Sequence, residues 1–194
     1  MTLRRVLFLD RDGVINVDHG YVHTPERTDW VPGIFELCAR AQRAGYERVV
    51  VTNQAGIARG FYTEAAFLAY TAWMHAQFEH RGVPLLATYH CPHHPTAGQG
   101  ELTRECDCRK PRPGMILRAA REWGIDLGRS ILVGDKPSDV RAAHEAGVGV
   151  AICSASNSLL EVLRRFDDLA GAAPSSGASR HLLPQAGEGA SGCA

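Results

Sequence analysis

The sequence predicts an α/β fold built on a doubly wound parallel sheet, and three observations carry that prediction. Short runs rich in Val, Ile and Leu alternate with longer segments of helical pattern, glycines close most of the helical segments, and polar residues gather just beyond the apolar runs. The runs at 6–9, 48–51, 85–89, 131–133 and 148–152 are short and largely apolar, which is the pattern of strands buried on both faces. Helical segments fall at 33–44, 63–80, 114–123 and 138–146, with a fifth near 158–165. Gly45, Gly82, Gly124 and Gly147 follow the first four as stops, and Pro32 and Pro113 stand near starts. Right-handed crossovers then put helices on both faces of the sheet.

The chain has 194 residues, 45% of them hydrophobic, enough for one sizeable core. Residues 1–170 are expected to form a single domain, and the spacing of the runs leaves no room for a large cap domain. Residues 171–194 turn to Gly, Ala, Ser and Pro and are expected to stay disordered. Lys and Arg number 21 against 21 Asp and Glu, so the formal charge is zero. That balance offers no footprint for duplex nucleic acid or an anionic membrane, and neither is expected as a partner. Arg4 and Arg5 precede an apolar run, but it stops at Asp10, short of a signal core, and no stretch approaches a membrane span. A cytoplasmic location follows as the expectation. In a reducing compartment the six cysteines suit metal binding or burial better than disulfides. Cys38 and Cys153 are expected in the core, and Cys193 in the tail is expected to be incidental.

In a doubly wound sheet, ligands collect beyond the carboxyl ends of the strands. Asp10 and Asp12 follow the first run, Thr52 and Asn53 the second, and Gly134 and Asp135 the fourth, while Lys110 precedes Pro111 and the helix at Gly114. Asp10 and Asp12 share a side of the chain if the extended geometry persists, and two carboxylates so close call for a cation. Each residue has an ordinary structural explanation alone: a strand end, a turn or a surface charge. Their convergence on one edge does not.

The set Asp-x-Asp-Gly, a strand-ending Thr, an isolated Lys and Gly-Asp-x-x-x-Asp resembles the haloacid dehalogenase-like phosphatases, whose core is Rossmann-like. The residue types suggest roles within that resemblance. Asp10 suits a covalent nucleophile that forms an acyl phosphate, and Asp12 a proton donor and then acceptor. Thr52 and Lys110 suit the phosphoryl oxygens. Magnesium would be held by Asp10, Asp135 and the Asp12 main-chain carbonyl. Asp139 is left between orienting Lys110, orienting a metal-bound water, and sitting as an acidic residue near a helix start.

Cys91, His93, Cys106 and Cys108 supply three thiols and an imidazole, a set suited to closed tetrahedral zinc, with His90 and His94 as rival ligands. Arg109 and Lys110 come directly after Cys108, so clamping this small loop would fix both cations.

Over residues 7–151 the chain further resembles the heptose bisphosphate phosphatases of that superfamily. The motifs that carry the likeness are Phe8-Leu9-Asp10-Arg11-Asp12-Gly13, the stretch 16–23, Val51-Thr52-Asn53-Gln54-Ala55-Gly56-Ile57-Ala58-Arg59-Gly60, Cys91-Pro92-His93-His94-Pro95, Cys106-Asp107-Cys108-Arg109-Lys110-Pro111 and Gly134-Asp135-Lys136. The resemblance implies magnesium-dependent hydrolysis of the 7-phosphate of a D-glycero-D-manno-heptose 1,7-bisphosphate, a small-molecule substrate. A monomer is the expected state. It implies substrate contacts from Asp18, His19, Gly20, Tyr21, Asn53, Gln54, Ala55, Arg109 and Lys136. Histidinol-phosphate phosphatase, a silent zinc-stabilised phosphoryl-binding module and a nucleic-acid end phosphatase are the competing readings.

Overall fold

The computed structural model describes residues 3–154 and 159–171. Five strands, β1 (Arg5–Leu9), β2 (Tyr46–Asn53), β3 (Ala87–Cys91), β4 (Ile131–Gly134) and β5 (Val150–Cys153), form one sheet in the order β3-β2-β1-β4-β5. Every pairing is parallel. The helices are α1 (Ile34–Arg43), α2 (Ala55–Ala58), α3 (Glu64–His80), α4 (Gly114–Trp123), α5 (Pro137–Ala146) and α6 (Leu159–Gly171). The expected α/β architecture is therefore the one observed, and only helices and loops separate successive strands among the described residues.

β1 explains why the sheet is doubly wound. Its side chains alternate between two cores, with Leu7 and Leu9 facing Leu37, Phe78 and Phe166 on one side. Val6 and Phe8 face Met115, Ile116 and Ala143 on the other. A strand buried on both sides can be apolar at each position, hence the unbroken run Val6-Leu7-Phe8-Leu9, all fully buried. The chain winds outward from β1 through β2 to β3, then returns to β1's other edge as β4 and β5. The direction of winding reverses between β1 and β4, so a crevice opens at their carboxyl ends.

Some boundaries differ from expectation for local reasons. The third strand starts at Ala87 rather than Leu85: the Arg48 side chain takes the Pro84 carbonyl, and the first bond to β2 comes only at Leu86 N–H, on Arg48 O. The fifth starts at Val150. Val148 N–H still bonds Ala143 O behind α5, and a Cβ on Gly149 would stand 2.1 Å from Gly128 O. The four-residue α2 has no periodic signal and was not foreseen. The fifth expected helix runs on to Gly171 as α6, while the expected tail beyond it, Cys193 included, lies outside the described residues. Cys38 is fully buried, and burial pushes its thiol up to about 12, which makes it inert. Cys153 is only half-buried, at variance with a core position. Among the described residues no helix is long and apolar enough to cross a membrane.

Candidate active site

At the end of β1 the chain departs from the extended geometry that the spacing of Asp10 and Asp12 suggested. Asp10 N–H still bonds Val133 O at 2.9 Å, but Ile15 and Asn16 N–H both turn back to Arg11 O at 2.8 and 3.1 Å. Asp12 therefore reaches the crevice on a tight turn, not by strand alternation. Gly13 permits the turn: its φ is +88°, and a Cβ there would stand 2.4 Å from Asp135 Oδ2.

The Asp12 carboxylate is gripped by three donors. Arg11 Nη2 lies 2.8 Å from Oδ2 and 2.9 Å from Oδ1, Asn16 Nδ2 is 3.0 Å from Oδ1, and Gln54 Nε2 is 3.2 Å from Oδ2. Gln54 Nε2 also donates to Thr52 Oγ1 at 2.8 Å, and Tyr62 OH donates to Gln54 Oε1. Gln54, expected at the substrate, is instead buried as a bracket joining Asp12, Thr52 and Tyr62. Arg11, Asn16 and Tyr62 were not foreseen. Asn16 and Tyr62 stand at no telling spacing, and Arg11 between two aspartates was the only signal available.

Lys110 is buried at the centre of the site. Its Nζ lies 3.0 Å from Asp10 Oδ1 and 2.6 Å from Asp139 Oδ1, and it donates to Val51 O at 2.8 Å. Burial works against its charge, but Asp10 and Asp139 outweigh it, so the ammonium's pKa is raised. Asn53 is fully committed to the same residue: its Nδ2 donates to Lys110 O and its Oδ1 accepts from Lys110 N, both at 3.0 Å. Asn53 lines the cleft, yet its amide positions Lys110. Asp139 also accepts from Lys136 N–H at 2.9 Å at the start of α5, so it both orients Lys110 and caps a helix.

Carboxylate oxygens of Asp10, Asp135 and Asp139 lie within 4.8 Å of one another. Burial, with Asp10 close by, pushes Asp135 up to about 7. Asp135 Oδ1 is buried without a hydrogen-bond partner, an orphaned acceptor that a hard cation would satisfy. Asp139 Oδ2 accepts from Lys136 N–H and its Oδ1 is ion-paired with Lys110, so Asp10 and Asp135 are the pair better placed for a divalent ion. The Asp12 side chain stands outside this cluster, in keeping with a role through its carbonyl alone.

The second cluster holds Cys91, His93, Cys106 and Cys108, their ligand atoms also within 4.8 Å. His90 bonds Glu64 instead, and His94 Nδ1 accepts from Ala97 N–H, so neither rival joins the set. Cys108 Sγ is 3.2 Å from both other sulfurs and 3.3 Å from His93 Nδ1. Without a cation, hydrogen bonds from Cys91 pull the Cys108 thiol down to about 5, while the same contact and burial push Cys91 up. Negative charge on sulfurs this close together is costly, and a divalent metal relieves that cost. The loop reaches the cleft directly: Arg109 Nη1 donates to His93 O at 3.0 Å, and Cys91 pairs with Asn53 in the sheet.

A cleft of about 560 Å³ is lined among others by Asp10, Asp12, Asp18, Gly20, Tyr21, Thr52, Asn53, Ala55, Arg109, Lys110 and Lys136. Lys136 Nζ stands 3.3 Å from Asp18 Oδ2 and 3.6 Å from Asp135 Oδ2, linking the 18–21 loop to the metal side. His19 departs from expectation. Its ring is on Asp29 at 2.8 Å and outside the cleft lining.

Fold and cleft together define a hydrolase of the haloacid dehalogenase-like class, and residues 107–158 match the HAD-hydrolase-like family model. A D-glycero-beta-D-manno-heptose-1,7-bisphosphate 7-phosphatase from Vibrio cholerae serotype O1 is 52% identical over 146 residues, 75% of this chain and 78% of that one. The Burkholderia mallei enzyme named for the alpha anomer is 51% identical over 148 residues, 76% of this chain and 78% of its own. The crystal structure of D,D-heptose 1,7-bisphosphate phosphatase from B. bronchiseptica, complexed with magnesium and phosphate, superposes with a TM-score of 0.68 at 34% identity, covering 81% of this chain and 86% of that one. The chain belongs to the heptose 1,7-bisphosphate 7-phosphatase family.

A carboxyl group held at about 7 takes up a proton on folding that the unfolded chain, titrating near 3.8, has already lost. Between those two values the folded state binds more protons, so metal-free protein should lose stability as pH rises through that window. Asp135→Asn should flatten that slope in denaturant titrations repeated across pH, and magnesium should do the same for the wild type.

Proposed function

We propose that the chain is a magnesium-dependent phosphatase that hydrolyses the 7-phosphate of D-glycero-D-manno-heptose 1,7-bisphosphate and releases the heptose 1-phosphate. The observation that carries this reading is the meeting of Asp10, Asp12, Thr52 and Lys110 in one cleft, with Asp135 in contact range of Asp10. The family's named substrate supplies the rest.

Asp10 is the nucleophile. One of its carboxylate oxygens bonds to phosphorus as the bond from phosphorus to the sugar oxygen breaks, and Asp12 gives its proton to the departing alkoxide. Asp12, now ionised, takes a proton from water as that water's oxygen bonds to phosphorus. Phosphate leaves and the Asp10 carboxylate is restored. The Thr52 hydroxyl can donate to a phosphoryl oxygen, and Lys110, its three N–H bonds held by Asp10, Asp139 and Val51 O, sets a fixed positive charge beside the group that opposes the charge built during transfer. Asp10 and Asp135, with the Asp12 carbonyl, would hold magnesium, which would supply neutralisation of the anionic ester and alignment for in-line transfer.

The far end of the substrate carries a second phosphate, and the cleft holds further cationic side chains to address it. Arg109 lies beside Lys110 and can fork onto an anion, and Lys136 stands across from it with Asp18. Gly20, Tyr21 and Ala55 line the wall between and suit the sugar. Both anomers of the bisphosphate are named among relatives of nearly equal identity, so the anomer at carbon 1 is not set by family membership.

Zinc belongs at the cysteine loop. Cys91, His93, Cys106 and Cys108 would hold it, leaving no open position, so its part is structural. Arg104 Nη2 stands 2.8 Å from His93 Nε2, and a metal held through Nδ1 would leave Nε2 protonated and unable to accept from that guanidinium. A site of reduced thiols suits the cytoplasm.

Asp10→Asn should lower phosphate release from the bisphosphate by on the order of 10³-fold or more with zinc content and unfolding temperature unchanged. Turnover near wild type would remove Asp10 as nucleophile. Stripping zinc should free the His93 carbonyl from Arg109. Hydrolysis of the bisphosphate should then fall further than hydrolysis of a monophosphate, and equal losses on the two would separate the loop from specificity.

A further inference from the structure

The reaction as set out uses no atom of Arg11, yet this is the largest fully buried side chain among the described residues. We propose that Arg11 is the positioning residue of the proton-transfer step: its guanidinium fixes the plane of the Asp12 carboxylate and ties it to the loop that lines the cleft. The proposal rests on Asp12 being the acid and base assigned above.

A guanidinium is costly to bury and is kept where its fork is used. Here the fork has one anionic target. Nη2 reaches both Asp12 oxygens, at 2.8 and 2.9 Å, and Nε reaches Oδ1 at 3.1 Å. Volume alone does not account for it. The rings of Tyr70 and Phe67 flank the guanidinium at 5.2 and 5.7 Å, and an apolar side chain would pack there without strain on charge. Nη1 is buried with no hydrogen-bond partner, so the polar group is tolerated for what its other nitrogens do.

Asp12 needs such a hold. It sits on a turn after the strand has ended, where an isolated bridge to Asn16 fixes the backbone but not the side chain, and a proton donor must keep its oxygen within reach of one departing atom. Asn16 and Gln54 each donate once, whereas a planar fork sets the carboxylate's plane as well as its place. Nη2 also donates to Val22 O at 2.6 Å, directly after the Asp18, Gly20 and Tyr21 stretch of the cleft wall. A shift of that wall on binding the sugar is therefore felt at Asp12 through one group.

A positioning role predicts dependence on the leaving group. A sugar alkoxide leaves only with a proton, whereas the phenolate of p-nitrophenyl phosphate leaves without one, and kcat/KM reports the transfer step alone. Arg11→Lys keeps the charge and loses the fork. With magnesium and zinc present, it should lower kcat/KM on heptose bisphosphate by ~30-fold or more, within the range of general acid catalysis, and that on the aryl phosphate by no more than about threefold. Arg11→Gln serves as the second variant if the lysine protein does not fold. Equal losses on both substrates overturn the proposal, as does failure of both variants to accumulate as folded protein, which would make Arg11 a residue of the fold. Asp12→Asn separates the two levels. If that variant also loses equally on both substrates, the acid assignment itself fails; if it discriminates and the Arg11 variants do not, only the positioning role falls. Adding Arg11→Lys to Asp12→Asn should produce no further discrimination.

Discussion

A single buried ammonium, Lys110 Nζ, is what the site is assembled around. Its partners come from three places in the fold: Asp10 after β1, the Val51 carbonyl in β2, and Asp139 in α5. Removing its charge would leave two buried carboxylates facing each other without compensation, which is why the whole edge of the sheet depends on it. This ammonium and the half-exposed Lys136, 3.6 Å from Asp135 Oδ2, do not balance three acids. Asp135 is left with an orphaned oxygen and a raised pKa, and a divalent cation beside Asp10 answers both. The charge deficit and the phosphoryl chemistry thus share one cause.

Lys110 arrives from far along the chain, on a segment with no strand or helix of its own, so its placement has to be imposed. The cysteine loop does this on one side. It springs from the end of β3, beside Asn53, and returns to the cleft at Arg109 and Lys110 with the Arg109 side chain tied to the His93 carbonyl. Asn53 does it on the other, with a paired amide bond to the Lys110 backbone. Gly114 closes the segment against the loop: its N–H bonds Asp107 O at 2.9 Å, and a Cβ would stand 2.3 Å from that oxygen. Zinc chemistry and phosphate chemistry sit side by side because the first holds the arm that serves the second.

Most of the architecture was legible in the sequence because the signals are local. Unbroken apolar runs mark two-sided burial, and glycine stops mark helix ends. Asp10, Thr52 and Asp135 were legible because their chemistry is out of place at the ends of apolar runs, and Lys110 because it stands isolated before Pro111 and a helix start. Cys91, His93, Cys106 and Cys108 were legible as a ligand set, though only the structure shows His90 and His94 occupied elsewhere. What escaped was side-chain direction in turns. Gln54 was expected at the substrate and turns inward to brace Asp12 and Thr52. His19 turns outward to Asp29. Asp12 lies on a turn that period-two reasoning does not describe. Arg11, Asn16 and Tyr62 escaped because their partners are fixed by tertiary packing, and no spacing in the chain announces them.

The most direct test is chemical capture of the nucleophile. Magnesium- and zinc-loaded protein, mixed with heptose bisphosphate and quenched in acid within a turnover, should yield one phosphoryl group on the peptide that carries Asp10 and none on that peptide from Asp10→Asn. A phosphoryl group found on another side chain, or steady turnover with no labelled peptide at any quench time, would contradict the account.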